Sequence, residues 1–361
     1  MKNICIVTGA RPNFVKVAPL IRAIEHYQDT TYHLVYAGRE DDPTLEVSLY
    51  DDLQMPQPTA YLGVDSIGLN EITSRVMAQF DDYLAHHPAD VVIVVDDLAS
   101  TMAAAIVTKK RGVKLAHLVA GTRSFDMNMP KEVNRLVIDA LSDYLFTAGI
   151  KSNSVATREQ ASLVESRSKE GGTYMVGNIL LDTLRFNHQR LLKPMLNIEE
   201  GKYLVFTINR KALLADKEKL RLMLEAMAEA AGDTPIIAPL REQAHQVICK
   251  ELTECSTCIT PCAPLPYLQF GWLTAHAKGI ITDSGNVAEE ATFNGIPCIT
   301  LNNYTEHQET VTIGSNVLVG EDPVRLKDEL TKMVTGAWKK CALPDRWDGR
   351  TAERIISILA Q

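Results

Sequence analysis

The segment Ile281-Thr282-Asp283-Ser284-Gly285-Asn286, followed by Glu289-Glu290, has the residue types of an anion site next to a polyol site. An apolar run that turns at Ser-Gly into a helix leaves backbone N–H groups unpaired at the positive end of that helix, which suits a diphosphate. Glu290 falls about one and a half turns along the helix, where a carboxylate could accept from both hydroxyls of a ribose. The same residues would also serve as an ordinary serine N-cap with glutamates on a solvated face. Gly9-Ala10-Arg11-Pro12 repeats the arrangement near the start of the chain. Its glycine permits a tight exit from a strand, and Arg11 lands at a helix start, either as an anion ligand or as a solvated turn residue. Asp96-Asp97 follow an apolar run, as an acid–base group, a metal ligand or a helix cap, and at most one of the two faces a ligand. His117 lies inside a strand pattern and reads as a satisfied core histidine.

The elements that must position these residues alternate from the outset. Asn3–Thr8 reads as a strand, and Phe14, Val17, Ala18, Ile21 and Ile24 follow at helical spacing, with Pro19 predicting a kink or break. Strands at Tyr32–Ala37, Asp90–Val95, Val113–Val119 and Tyr144–Thr147 are separated by helical patterns at Ile72–Leu84, Ala99–Lys110 and Glu132–Leu141. The pattern weakens through a polar stretch after Val176-Gly177-Asn178 and restarts at Tyr203–Thr207. Strands follow at Pro235–Ala238, Cys258–Ile259, Gly279–Thr282 and Ile296–Thr300, with helices at Asp216–Ala231, near Leu268, near Asn286 and at Glu353–Leu359. Strand–helix–strand repetition with short connections predicts parallel sheets covered on both faces. The expected fold is α/β, two Rossmann-like doubly wound parallel-sheet domains facing a cleft. Residues 1–180 form one domain, 181–349 the nucleotide-binding domain, and 350–361 a helix returning to the first. Ligands bind outside the carboxyl ends of the strands in such sheets, which is where the residues above fall.

Composition narrows the partners. The 361 residues include 37 basic and 45 acidic side chains, for a formal charge of −8, with no basic block to attract a nucleic acid. No run approaches ~18 apolar residues and no signal-like segment opens the sequence, so a cytoplasmic protein without a membrane partner is expected. Seven cysteines suit reduced thiols better than a disulfide framework. Four of them, Cys249, Cys255, Cys258 and Cys262, crowd together, but a lone Cys-x-x-Cys is a weak metal signal, and neither a metal nor another cofactor is expected.

Taken in order along nearly the whole chain, the motifs resemble those of the non-hydrolysing UDP-N-acetylglucosamine 2-epimerases, whose two-domain fold is that of the GT-B glycosyltransferases. The resemblance rests on Gly9-Ala10-Arg11-Pro12-Asn13-Phe14-Val15-Lys16, Ala120-Gly121-Thr122-Arg123-Ser124-Phe125 and Met129-Pro130-Lys131-Glu132-Val133-Asn134-Arg135. It continues through Asp139-Ala140-Leu141-Ser142-Asp143, Val176-Gly177-Asn178, Asp283-Ser284-Gly285, Thr305-Glu306 and Ile313-Gly314-Ser315-Asn316-Val317-Leu318-Val319-Gly320. It implies interconversion of UDP-N-acetylglucosamine and UDP-N-acetylmannosamine without a redox cofactor, by proton abstraction at C2, elimination of UDP and re-addition. It further implies a homodimer and a place in cell-surface polysaccharide biosynthesis. By resemblance, Asp97 and Arg11 are catalytic, and Arg135, Ser284, Gly285, Asn286 and Glu290 bind UDP.

Several positions depart from the family pattern. Val119 stands for a catalytic glutamate, Lys131 for a second functional glutamate, and Asn209 for a histidine that faces the substrate. Glu132 survives beside Lys131, but one residue along a helix turns a side chain by ~100°, which argues against simple takeover. Arg39-Glu40 replaces a Gln-His pair. Arg241-Glu242, Asn286 and His307-Gln308 replace a His-Pro pair, a glycine and an Arg-Pro pair. Each acid–base group typically contributes 10²–10⁴ in rate, so this pattern predicts very slow or absent epimerisation by the chain alone. The alternatives are a paralogue that binds UDP-sugar or a partner without turnover and, less favoured, a GT-B transferase.

Overall fold

The computed structural model describes residues 2–45, 47–161, 171–252 and 258–360, which form two compact units. The first comprises Met1–Phe186 with Asp345–Gln361, the second Asn187–Pro344.

Strands β1 (Lys2–Thr8), β2 (Thr30–Tyr36), β3 (Ala60–Tyr61), β4 (Val91–Val95), β5 (Lys114–Ala120), β6 (Tyr144–Thr147) and β7 (Gly172–Met175) build the sheet of the first unit. They run in the order 3-2-1-4-5-6-7, and every pairing is parallel. The chain therefore reverses its direction of travel across the sheet between β1 and β4, the point at which crossovers to opposite faces leave a crevice. β4 is five apolar β-branched residues, all buried. Such a run suits a central strand covered on both faces. At Gly9, after β1, an added Cβ would lie 1.9 Å from Ser100 Oγ, so a larger residue would have to displace that hydroxyl of the helix Ala99–Lys110.

The second unit repeats the plan with β8 (Leu204–Thr207), β9 (Ile236–Pro239), β10 (Ile259–Cys262), β11 (Gly279–Thr282), β12 (Cys298–Thr300) and β13 (Asn316–Leu318). Its order is β10-β9-β8-β11-β12-β13, again all parallel, with the reversal between β8 and β11. Two doubly wound sheets are therefore present, as the alternation predicts.

Of the kink or break expected at Pro19, a break does not occur: the helix Arg11–Glu25 runs through it. Proline removes the N–H that would bond the carbonyl four residues earlier. That carbonyl, of Val15, instead accepts the Thr183 hydroxyl at 2.6 Å. The helix Thr351–Leu359, whose Ile355, Ile356 and Leu359 are buried, is in contact with this one. Asp182 holds the start of Thr351–Leu359 by accepting from Thr351 N at 3.0 Å and Ala352 N at 2.7 Å.

Cys258 is half-buried and Cys255 lies outside the described residues. Among the described residues, no three or more His, Cys, Asp or Glu side chains gather as a metal site, and no helix is long and apolar enough to cross a membrane.

Thr183 is fully buried, and Thr183→Val preserves its shape while stranding the Val15 carbonyl. The substitution is expected to lower stability by about 1–3 kcal/mol, read as a lower urea midpoint at unchanged slope. An unchanged midpoint would mean that the Pro19 helix does not depend on this hydroxyl.

Candidate active site

The two aspartates after β4 turn in opposite directions. Asp96 accepts from Asn13 Nδ2 at 2.8 Å and from Lys16 Nζ at 2.6 Å, both on the helix Arg11–Glu25, where three-residue spacing puts them on one face. Asp97 accepts from Arg135 Nε at 2.8 Å and Nη2 at 2.5 Å, with Lys131 Nζ at 3.4 Å, all from the helix Pro130–Leu141. Burial alone would raise the Asp97 carboxyl, but Lys131, Arg135 and Lys16 together hold it below the usual carboxylate range. Asp97 is thus a fixed anion, a poor proton acceptor and, near neutral pH, no proton donor.

Arg135 is almost fully buried, and its guanidinium faces Asp97 and, at 3.2 Å, Glu132. Glu132 is itself occupied: its carboxylate accepts from Ser124 N at 2.8 Å, Ser124 Oγ at 2.9 Å and Phe125 N at 3.1 Å. The expected rotation away from the Lys131 direction is realised, and Glu132 braces the loop before its helix. Lys131 remains half-exposed, and Arg11, the first residue of its helix, is partly exposed.

Val119 sits where β5 shifts register against β6, with φ of 72°. A β-branched residue in the left-handed region is a clear outlier, costing of order 1–3 kcal/mol unless its surroundings fix it. Of the five non-glycine residues with positive φ among the described residues, Asp96, Val119 and Phe125 all lie in segments that follow or end β4 and β5.

A buried network holds this turn. Asp139 accepts from His117 Nδ1 at 2.5 Å, from Gly121 N at 3.0 Å and from Arg123 Nη2 at 2.7 Å. His117 Nε2 donates to the Asp96 carbonyl at 3.0 Å, which makes it the satisfied core histidine its strand position predicts. Burial of Asp139 is outweighed by His117 and Arg123, which hold its carboxyl below the ordinary range. Gly121, at φ of 75°, has no room for a Cβ, which would lie 2.1 Å from the Ser152 carbonyl oxygen.

In the second unit, β8 and β11 are tied at their ends by a 2.7 Å hydrogen bond between the Thr207 and Thr282 hydroxyls. Asp283 accepts from Asn209 N and Arg210 N at 2.7 Å each, while its own carbonyl accepts from Asn302 Nδ2 at 2.9 Å. Asp283 is therefore a splint between neighbouring loops, and Asn209 is exposed on the loop it fixes. Ser284 is the N-cap of the helix Gly285–Asn294, but its side chain makes no capping bond. An added Cβ at Gly285 would meet nothing within 4 Å, so the approach to the helix start is open there. Asn286 occupies the next position, half-buried.

Glu290 is 8% exposed, and its carboxylate has no hydrogen-bond partner among the described residues. Burial, with the charge of neighbouring Glu289, pushes it up to about 8. Glu289 instead lies 3.6 Å from His307.

Sequence reasoning identified the strand ends but not Asn13, Lys16, Asp139 or Asp283 as the groups that fix them. The spacing of Asn13 and Lys16 was a usable signal. Asp139 pairs with residues 16–22 positions away, and nothing local marks that contact. At Arg39, the guanidinium binds Asp41 at 2.7 Å and Asp65 at 3.0 Å on an exposed surface.

If the left-handed turn is imposed on Val119, glycine there should relieve it. Val119→Gly is expected to keep or raise the urea midpoint, whereas a valine-to-glycine change in regular strand, such as Val94→Gly, should cost about 2–5 kcal/mol. Equal losses at both positions would show that Val119 carries no strain.

The chain is similar to known proteins over nearly its whole length. The family model for UDP-N-acetylglucosamine 2-epimerase matches residues 22–360. The chain is 30% identical over 375 residues to the UDP-N-acetylglucosamine 2-epimerase of Methanocaldococcus jannaschii, covering 99% of this chain and 98% of that protein. It is 31% identical over 324 residues to the UDP-2,3-diacetamido-2,3-dideoxy-D-glucuronate 2-epimerase of Pseudomonas aeruginosa, covering 88% of each. The structure superposes on that of the M. jannaschii enzyme in complex with UDP-GlcNAc and UDP with a TM-score of 0.79, at 28% identity over 100% of this chain and 99% of that one. The chain therefore belongs to the UDP-N-acetylglucosamine 2-epimerase family.

Proposed function

We propose that this protein binds a UDP-sugar through the strand-end residues of its family and does not exchange the C2 proton at family rates. The reading includes a cytoplasmic homodimer. Nucleotide recognition falls to the second unit: diphosphate on the N–H groups at Ser284-Gly285-Asn286, and ribose on Glu290. A buried, unpartnered carboxyl is costly, and a diol that donates two hydrogen bonds to it offsets that cost. The M. jannaschii relative, solved with UDP-GlcNAc and UDP, supports a ligand of this class.

The observation that carries the loss of proton transfer is the clamp on Asp97. Epimerisation needs one group to take the C2 proton and another to return one on the opposite face. Asp97 is held ionised between Arg135 and Lys131. Val119 has no proton to exchange, Asn209 is a neutral amide, and Lys131 is paired with Asp97. A second reading, an isomerase of another UDP-sugar, draws support from the 31% identity to a UDP-2,3-diacetamido-2,3-dideoxy-D-glucuronate 2-epimerase.

The experiment is NMR of UDP-N-acetylglucosamine in heavy water with the purified chain. Deuterium at C2 is expected to appear well below one turnover per second, the low end of ordinary enzyme rates; incorporation at or above that rate would overturn the reading. Ribose binding favours ionised Glu290, so UDP binding should release a proton near pH 7. Affinity should rise with pH up to about 8 and level off above it. Calorimetry in buffers of different ionisation enthalpy measures the proton count, and Glu290→Gln should abolish it. No binding heat at millimolar UDP would contradict the nucleotide site itself.

A further inference from the structure

A cavity of about 270 Å³ lies wholly within the first unit, at the carboxyl ends of β1 and β2, bounded by Gly9, Gly38, Leu69, Ile72, Val76 and Ser100. None of Asp97, Lys131 and Arg135 lines it. The helix Ala99–Lys110 starts on its wall, and the N-cap of that helix, Leu98, offers no side-chain acceptor. The N–H groups of the first turn therefore present an uncapped positive end. Ser100, in that turn, is 5% exposed, and its hydroxyl has no hydrogen-bond partner among the described residues. Gly9 stands beside the hydroxyl, where a side chain would displace it. A buried polar group left without a partner is costly, and this one lines an open space.

The rest of the lining restricts what the partner can be. Leu69, Ile72, Val76 and Leu98 supply apolar wall, and the charged side chains on it are two acids, Asp42 and Asp65. Burial of Asp42 is outweighed by the bonds it accepts from Tyr36 Oη at 2.5 Å and Thr44 N at 2.8 Å, which hold its carboxyl below the ordinary range. Asp65 accepts from Arg39 Nη1 at 3.0 Å, and Arg39 is shared with Asp41. Ser66 Oγ is committed to Glu71 at 2.7 Å. An anion drawn to the helix start would meet two carboxylates and no basic side chain on the lining, whereas a neutral acceptor gains the N–H groups without that repulsion. The volume falls just under the ~300–1,000 Å³ of pockets for drug-sized ligands, which suits a single ring.

We propose that this cavity is a second ligand site, taking an uncharged single-ring amide whose carbonyl oxygen accepts from Ser100 Oγ and the helix start. A cyclic amide carries its donor N–H next to that carbonyl, which suits the acids on the same lining, and its ring suits the apolar wall. The site lies in one unit and does not depend on the nucleotide site proposed above.

The test is methyl NMR of the full chain at pH 7, titrated with uracil and with orotate, which is the same ring bearing a carboxylate. Uracil is expected to shift the methyls of Leu69, Ile72, Val76 and Leu98 saturably, and orotate to bind them about tenfold more weakly or worse. Ser100→Ala should weaken uracil about three- to tenfold, the loss of one hydrogen bond, at an unchanged urea midpoint. Orotate binding as tightly as uracil, or tighter, would overturn the proposal by making this an anion site. Shifts confined to methyls of the second unit, or no saturable shift at millimolar uracil, would overturn it as well, as would unchanged affinity in Ser100→Ala.

Discussion

The opposed pull on Asp96 and Asp97 is the interaction on which the candidate site depends. The two acids lie in the turn after β4, with Asp96 in the left-handed region at φ of 59°, and their side chains face opposite helices. Here each finds a cation on a different helix: Lys16 of Arg11–Glu25 and Arg135 of Pro130–Leu141. Buried charges are tolerated when paired and hydrogen-bonded, and breaking such a pair costs about 3–5 kcal/mol because it strands the partner. The two pairs consequently fix where both helices begin, and with them Arg11, Lys131 and the loop that Glu132 braces. The same clamp that orders the strand end favours the ionised form of Asp97. Order and proton transfer pull against each other at this residue.

Backbone strain at the ends of β4 and β5 follows from that order. Left-handed conformations at Asp96, Val119 and Phe125 persist because hydrogen bonds over-determine the chain on either side. The Asp96 carbonyl is held by His117, Gly121 and Arg123 are held by Asp139, and Phe125 N is held by Glu132. Val119 has no polar side chain to profit from its placement. The turn is a property of its neighbours rather than of the residue that occupies it. A side chain can thus change its chemical type at position 119 while the backbone around it keeps its form.

The sequence made the central strands legible because their signal is local. Val91–Val95 is apolar at every position, and the Ser284-Gly285 turn announces a helix start. Elements whose cues are short or weak were not anticipated. β13 has three residues, β3 has two, and the helix Ile150–Ala161 buries only Ser152, Val155 and Ala156 on its inner side. The helix Pro323–Thr335 was legible in principle, since Asp322 accepts from Val324 N and Arg325 N and proline follows it at the first helical position. The helix continues through Pro19 for a reason no local rule contains: the hydroxyl that satisfies Val15 arrives from Thr183, 168 residues later. In the site, motif positions were readable one by one. The occupation of Arg135 by Asp97 and Glu132, and the buried Asp139 hub, exist only once the strands are side by side.

The central proposal is that the chain keeps the fold of its family while lacking side chains that could move the C2 proton. The most direct measurement is the rate of deuterium incorporation at C2 of UDP-N-acetylglucosamine by the double variant Val119→Glu/Lys131→Glu, compared with the parent chain at matched UDP affinity. Restoring two carboxylates on an intact scaffold should raise exchange by about 10²-fold or more. A parent chain that already exchanges as fast as the double variant would contradict the account, as would a folded, UDP-binding double variant with no gain.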